Sequence, residues 1–307
     1  MSPELCFATP RKLPKPKELR GRVVVLDIAF ASEAGGSSFE HTTLPFIEGL
    51  GPRLAAWVDH HDSTHHVRFA NDPRFVLATK TQHGACPEMV TPALVERIGA
   101  VDTIVCHNDF DGLASAAKWI RGGLEAYPDA DADARAIDTR IGTPSPIGVR
   151  FDRALRARPR DSGLFGLVVR HLASGLADPS LWQPIDEAAA ELAAVELNTR
   201  QLAQRYERVS NDVVYADVTV RQGAYDKTML LLLGQERARV AAVLDGDSLA
   251  LAAPFDSGLN FLSLLGLSGG MPTRVSVPKK RLPETLAAVG VRPDRIASIV
   301  DAQTKSH

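Results

Sequence analysis

Residues 101–112 read VDTIVCHNDFDG: an apolar run, then His107, Asp109 and Asp111 at alternate positions, then Gly112. The helix-like stretch LASAAKWIRGGLEA follows at once. A short apolar run that passes directly into a helical pattern reads as a buried strand feeding its crossover helix. Working outward, RVVVLDI from Arg22 is a second such strand, ending at Asp27, and RLAAWVDHH from Arg53 is a third, closing on Asp59, His60 and His61. TLPFIEGL and PALVERI supply helical stretches between them, and ARAID predicts a short fourth strand ending at Asp138. Strands alternating with helices predict an α/β class with a mostly parallel sheet.

The rest of the chain divides around one long helical pattern. From Pro184, IDEAAAELAAVELNTRQLAQRYERV places Ile185, Ala189, Leu192, Val195, Leu202, Tyr206 and Val209 near one face. Pro184 suits the first turn of such a helix. Beyond it NDVVYADVTV, RVAAVLDG and SLALAAPF read as strands, followed by the glycine-rich GLSGGMPTRVSVPKK. The expected organisation is a tail over 1–21, a catalytic domain over 22–180, a connecting helix over 181–210 and a smaller α/β domain over 211–307.

Composition narrows the function. The 307 residues carry 35 Lys and Arg against 37 Asp and Glu, a net charge of −2. That balance excludes a general nucleic-acid coat, which needs many unpaired basic groups. Aromatic residues at 6% leave little for an extended base-stacking platform. Three cysteines with no CxxC pair suggest neither a disulfide framework nor a thiolate zinc site. The start of the chain lacks the apolar core of a signal peptide, and no apolar run is long enough to span a membrane. The expected compartment is the cytoplasm.

The chemistry gathers where the strands end. Open α/β sheets bind ligands at the carboxyl ends of their strands, and there stand Asp27, the trio Asp59, His60 and His61, and the series His107, Asp109 and Asp111. If HNDFD stays extended, its alternate side chains point the same way. Carboxylates held so close resist joint ionisation unless a cation lies between them. Oxygen and imidazole donors without thiolate favour Mn²⁺ or Mg²⁺, with Zn²⁺ and Co²⁺ as competitors. Asp27, His60 and His61 would complete a second position beside the first, as in two-metal phosphoryl-transfer sites. Any one of these aspartates taken singly would also serve as a helix cap. The pair His65-His66 lacks supporting residues and reads as structural or solvated.

VDHHDS and CHNDFDGLASAAKW resemble the DHH and HxDxDG motifs of the DHH phosphoesterases, the form HNDFDG being most similar to the oligoribonuclease (nanoRNase) branch. The resemblance covers roughly 22–140. It implies a two-domain hydrolase using paired Mn²⁺, with Mg²⁺ or Co²⁺ as substitutes. Position by position it implies that His107 and Asp109 hold one ion and Asp111 the other, that Asp27 bridges both, and that His60 binds the second. Asp59 would orient a histidine, His61 would contact the scissile phosphate or assist proton transfer, and Asp138 is the candidate for the last Asp of the second position. Two departures stand out. Here the DHH motif precedes HNDFDG, the reverse of the family's order, which implies a circular permutation of the catalytic sheet, tolerable where termini lie close at the surface. The GGGH segment of DHHA1-like C-terminal domains is matched only by Ser268-Gly269-Gly270-Met271, with Met271 in place of His.

The expected activity is hydrolysis of phosphoester bonds in short nucleotides or oligonucleotides, by water activated between two ions in a cleft between the domains. Gly269, Gly270 and Arg274 are the substrate-binding candidates, with Thr273 a further anion contact. The alternatives are a phosphatase for polyphosphate or pyrophosphate, favoured by the sparse aromatics and Met271, and a non-catalytic nucleotide-binding module. The oligomeric state stays open, a dimer included. His83 reads as a capping or surface residue, His41 and His171 as structural, Cys106 as a small buried hydrophobe, and Lys279-Lys280-Arg281 as a solvated face.

Overall fold

Val23, Val24, Val25 and Leu26 are all fully buried, the signature of a strand covered on both faces, as parallel sheets require. The computed structural model describes residues 2–32, 37–268 and 271–305, and divides into two compact units, 1–192 and 193–307.

In chain order the first unit runs β1 (Glu4–Ala8), β2 (Val23–Leu26), α1 (Leu44–Leu50), β3 (Leu54–Asp59), β4 (Phe75–Leu77), α2 (Pro92–Ile98), β5 (Thr103–His107), α3 (Phe110–Ile120), α4 (Ala130–Thr139), α5 (Pro146–Ala157) and α6 (Ser162–Ala173). Its sheet has the order β1-β5-β2-β3-β4, every neighbouring pair parallel. The strands alternate between two cores. Val24, Leu26, Ala56, Val58, Ile104 and Cys106 pack with α3 and α6, while Val23, Val25, Leu54, Trp57 and Val105 pack with α1 and the rings of Phe30 and Phe39. Burying each of the Val, Leu and Ile side chains contributes about 1.5–3 kcal/mol. The Trp57 indole N–H is satisfied by the Ile28 carbonyl at 2.9 Å.

Two expectations need correction here. Residues 1–21 are not a tail, since β1 within them pairs with β5 from Glu4↔Thr103 to Ala8↔His107. ARAID is not a strand but the last part of α4, with Ala130, Ala134 and Ile137 buried. The spacing of those three residues follows the helical period, which overrides the short apolar run.

Helix α7 (Trp182–Leu202) crosses the boundary at residues 192 and 193. It ends before Tyr206 and Val209, which lie beyond it on non-helical chain. The second unit continues as β6 (Glu207–Arg208), β7 (Val213–Asp217), α8 (Lys227–Gln235), β8 (Val240–Asp245), β9 (Ser248–Ala252), α9 (Phe261–Leu265), β10 (Arg274–Pro278), α10 (Leu282–Ala288) and α11 (Pro293–Lys305). Its sheet, β10-β9-β8-β7-β6, is mixed: β7 and β8 are parallel and the other pairs antiparallel. A second α/β unit is what the strand-like runs after residue 210 predict. Among the described residues, no helix is long and apolar enough to cross a membrane.

Candidate metal centre

The carboxyl ends of β2, β3 and β5 lie side by side in the sheet, and each delivers part of the cluster. Asp27 follows β2 with φ of 58°, a left-handed backbone that Asp tolerates better than most residues. Its N–H is tied to the Val58 carbonyl at 2.9 Å. Asp59, His60 and His61 stand at the end of β3, whose last carbonyl accepts from Ala78 N at 2.9 Å.

The segment after β5 does not stay extended. The strand stops at His107, Asp109 caps α3 by accepting from Gly112 N at 3.3 Å, and Asp111 sits in the helix's first turn. Asp109 thus caps α3 through Oδ1 while its Oδ2 lies beside His107. Gly112 allows this close turn: a Cβ there would lie 2.6 Å from the His107 carbonyl oxygen. Asp138 arrives from the last turn of α4.

These residues form three overlapping groups whose donor atoms lie within 4.8 Å of one another: Asp27, His60 and His61; Asp27, His107 and Asp109; His60, Asp111 and Asp138. Asp27 links them. Its Oδ1 is 3.3 Å from His60 Nε2 and 3.8 Å from His61 Nδ1, and its Oδ2 is 3.6 Å from His107 Nδ1. His107 Nδ1 is 2.7 Å from Asp109 Oδ2. On the inner side His60 Nε2 is 3.3 Å from Asp111 Oδ2 and 4.0 Å from Asp138 Oδ2. Asp59 Oδ1 accepts from His61 Nδ1 at 2.8 Å, so that carboxylate fixes which ring nitrogen of His61 carries the proton. The His83 carbonyl does the same for His60, accepting from Nδ1 at 2.9 Å. The group of Asp27, His107 and Asp109 is the more open, with the Asp109 side chain 47% exposed, whereas His60 and Asp111 are buried.

The electrostatics show a cluster short of positive charge. Burial pushes the Asp111 carboxyl up, and Asp27 and Asp109 add to this, to about 6. Burial, and then the Asp111 charge, also raise Asp138. Burial would depress the His60 imidazole, but the Asp111 and Asp27 carboxylates 3.3 Å from its Nε2 win and raise it to about 11. His107 is likewise driven well up against burial by Asp109 and Asp27. Burial works against the Asp27 charge too, yet His107 and His60 hold its carboxyl well below the usual range. Both Asp27 oxygens, His60 Nε2 and His107 Nδ1 are buried without a hydrogen-bond partner, although buried polar atoms are normally paired. Divalent cations at the two sides of Asp27 would satisfy all four, and the donor set of carboxylates and imidazoles suits them.

Sequence reasoning missed two contributors. Lys80 follows β4, and its buried ammonium donates to Asp138 Oδ2. Burial lowers the affinity of that amine for its proton, but Asp138, Asp111 and Asp27 outweigh it and raise the pKa. The other is the His83 carbonyl, while the His83 side chain is exposed beside Glu88. The surrounding TKTQHG carries no periodicity or motif that marks either one.

Gly269 and Gly270 fall outside the described residues. Arg274 opens β10 and donates to Thr228 Oγ1 at 3.0 Å. Thr273 is buried, and its carbonyl accepts from Ala253 N at 2.9 Å. His65 stacks on Phe39 with centroids 4.2 Å apart, and His66 meets the edge of Phe30. His171 is buried against Phe151 and Trp182.

No family model matches the chain, and no curated protein does. Among solved structures it is similar to the pGpG-specific phosphodiesterase PggH from Vibrio cholerae, with a TM-score of 0.37 and 14% identity over 56% of this chain. That match spans 64% of PggH, less than two thirds of its length. It is also similar to the exonuclease RecJ bound to manganese, with a TM-score of 0.46 and 14% identity over 91% of this chain and 78% of that one. The functional reading that follows rests on the side chains of the site rather than on these likenesses.

Proposed function

We propose that this chain is a metal-dependent phosphoesterase of the DHH type, acting on phosphoester bonds of short nucleotides or oligonucleotides. One observation carries the reading: a fully buried Asp27 whose two oxygens face two separate sets of imidazole and carboxylate donors, with no hydrogen-bond partner for either. Asp27, His107 and Asp109 would hold one ion, and His60, Asp111 and Asp138 a neighbouring one, with Mn²⁺ the proposed metal. Divalent cations so placed supply the charge that lowers the pKa of water and stabilises the oxygens around phosphorus.

The chain's own groups do the rest. The His83 carbonyl and the Asp59 carboxylate fix the rings of His60 and His61 by holding their Nδ1 protons. That leaves His61 Nε2 as the nitrogen free to meet a phosphate oxygen. His61 would contact the scissile phosphate or assist proton transfer to the leaving oxygen through Nε2, with Asp59 orienting the ring. Arg274 is proposed to hold a substrate phosphate, so Arg274→Ala should raise KM with little change in kcat. The proposed setting is the cytoplasm, in keeping with three free cysteines.

The test is hydrolysis of bis-p-nitrophenyl phosphate with added Mn²⁺, comparing wild type with Asp109→Ala. Activity that requires the metal and falls at least about a hundredfold in the variant is expected. A folded wild type that binds no divalent metal would sink the reading. A panel of short oligonucleotides, nucleoside bisphosphates, cyclic dinucleotides and polyphosphate then fixes the substrate. Preference for polyphosphate would replace the nucleotide part and leave the metal part standing.

A further inference from the structure

Lys80 lies on the inner side of the cluster, and the hydrolysis outlined above makes no use of it. Its ammonium donates to Asp138 Oδ2, the same oxygen that stands 4.0 Å from His60 Nε2. The side chain is 1% exposed, so its charge is confined with the carboxylates rather than shared with water. The turn that launches it is tightly tied. The N–H groups of Gln82 and His83 both bond to the Thr79 carbonyl, at 2.9 and 3.0 Å, and the Thr79 N–H is held by Gln82 Oε1 at 2.9 Å.

Charge separates the two halves of the cluster. On the outer side, Asp27 and Asp109 are paired with imidazoles, and a divalent ion there meets two carboxylates with neutral His107. On the inner side, Asp111 and Asp138 also offer two carboxylates, but Lys80 already offsets one of them. A divalent ion there would share Asp138 Oδ2 with the ammonium and gain less from the carboxylates than one on the outer side. Like charges that close repel strongly even under the effective screening inside proteins. The outer side is also the accessible one.

We infer that this chain binds one divalent ion tightly, at Asp27, His107 and Asp109, and that Lys80 is a built-in cation beside His60, Asp111 and Asp138, where a second ion enters only weakly. This rests on the metal-dependent reading of the same site and alters its stoichiometry. Lys80 is thereby a specificity residue for metal loading.

The full-length protein, stripped with chelator, is titrated with Mn²⁺. Bound ions are counted by equilibrium dialysis with elemental analysis, and electron paramagnetic resonance reports whether they are isolated or coupled. The wild type is expected to bind one ion per chain with an isolated six-line signal, and a second at least about tenfold more weakly. Lys80→Met, or Lys80→Gln, should bind the second ion at least about tenfold more tightly than wild type and show a coupled pair. Two ions of equal affinity in wild type, unchanged by either substitution, would overturn the inference and leave the phosphoesterase reading intact. One ion in every form would remove the role given to Lys80, and no ion in any form would end both readings. If neither variant folds, the wild type decides: a coupled pair from the first equivalent overturns the inference, and an isolated signal up to one equivalent supports it.

Discussion

Asp27 divides its carboxylate between two donor sets while its backbone sits at a φ of 58°, a cost that tends to persist at functional positions. Asparagine tolerates that backbone as well as Asp does. Asp27→Asn should therefore keep its circular dichroism spectrum and lose Mn²⁺ binding by calorimetry. The imidazoles set the pH dependence. With His60 raised to about 11 and His107 also raised, both rings are protonated at neutral pH in the ion-free protein, and each must release its proton to become a ligand. Mn²⁺ affinity should climb from pH 6 to pH 9, with proton release seen as a dependence of the calorimetric heat on buffer. In the ion-free protein the sign for stability is the opposite. The raised His60 contributes stability that is full below about 6.5 and is lost as pH rises through about 11. At this scale the sequence was informative where side chains end apolar strands, as at His60, His107 and Asp109. It was silent on Lys80 and the His83 carbonyl, because a turn's inward side chain and a main-chain acceptor leave no periodic trace.

At the scale of elements, the HNDFDG segment converges because a strand hands over to a helix within two residues, not because the chain stays extended. Two substitutions separate the duties packed there. Asp109→Asn keeps a good capping side chain but gives up its charge, so unfolding temperature should hold while Mn²⁺ binding weakens. Gly112→Ala forces a Cβ against the His107 carbonyl, a backbone contact that cannot yield cheaply. It should lower the unfolding temperature and metal affinity together. The helix α4 was legible but misread. ADADARAIDT repeats apolar residues at helical spacing, yet the short ARAID run invited a strand. Position 138 still reached the cluster, because what matters there is where the helix ends.

Across the whole molecule, the α/β class, the parallel first sheet, the long helix and the second α/β unit could be read from alternating runs, because both faces of the central strands are buried and leave unbroken apolar stretches. The edge strand β1 could not, since three half-buried residues between Ala8 and an exposed Glu4, set among charges and prolines, resemble a tail. It is nonetheless anchored: Ala8 is buried and Phe7 meets Phe165 edge-on at 5.4 Å. Removing residues 1–12 should cost about 2–4 kcal/mol, measured by urea unfolding, and should promote self-association through the bared edge of β5.

The strand order β1-β5-β2 has a consequence for how the chain is made. On the ribosome, β1 and β2 emerge first with a gap between them, and the strand that fills it follows only at residues 103–107. Nascent chains that stop short of it hold a sheet without its middle and should remain open to protease, since such distant pairings form slowly. The cluster has no early version either, because Asp138 comes later still. The proposed metal capture by Asp27, His107 and Asp109 would thus wait for β5, so a polypeptide that stops before it would carry no such site.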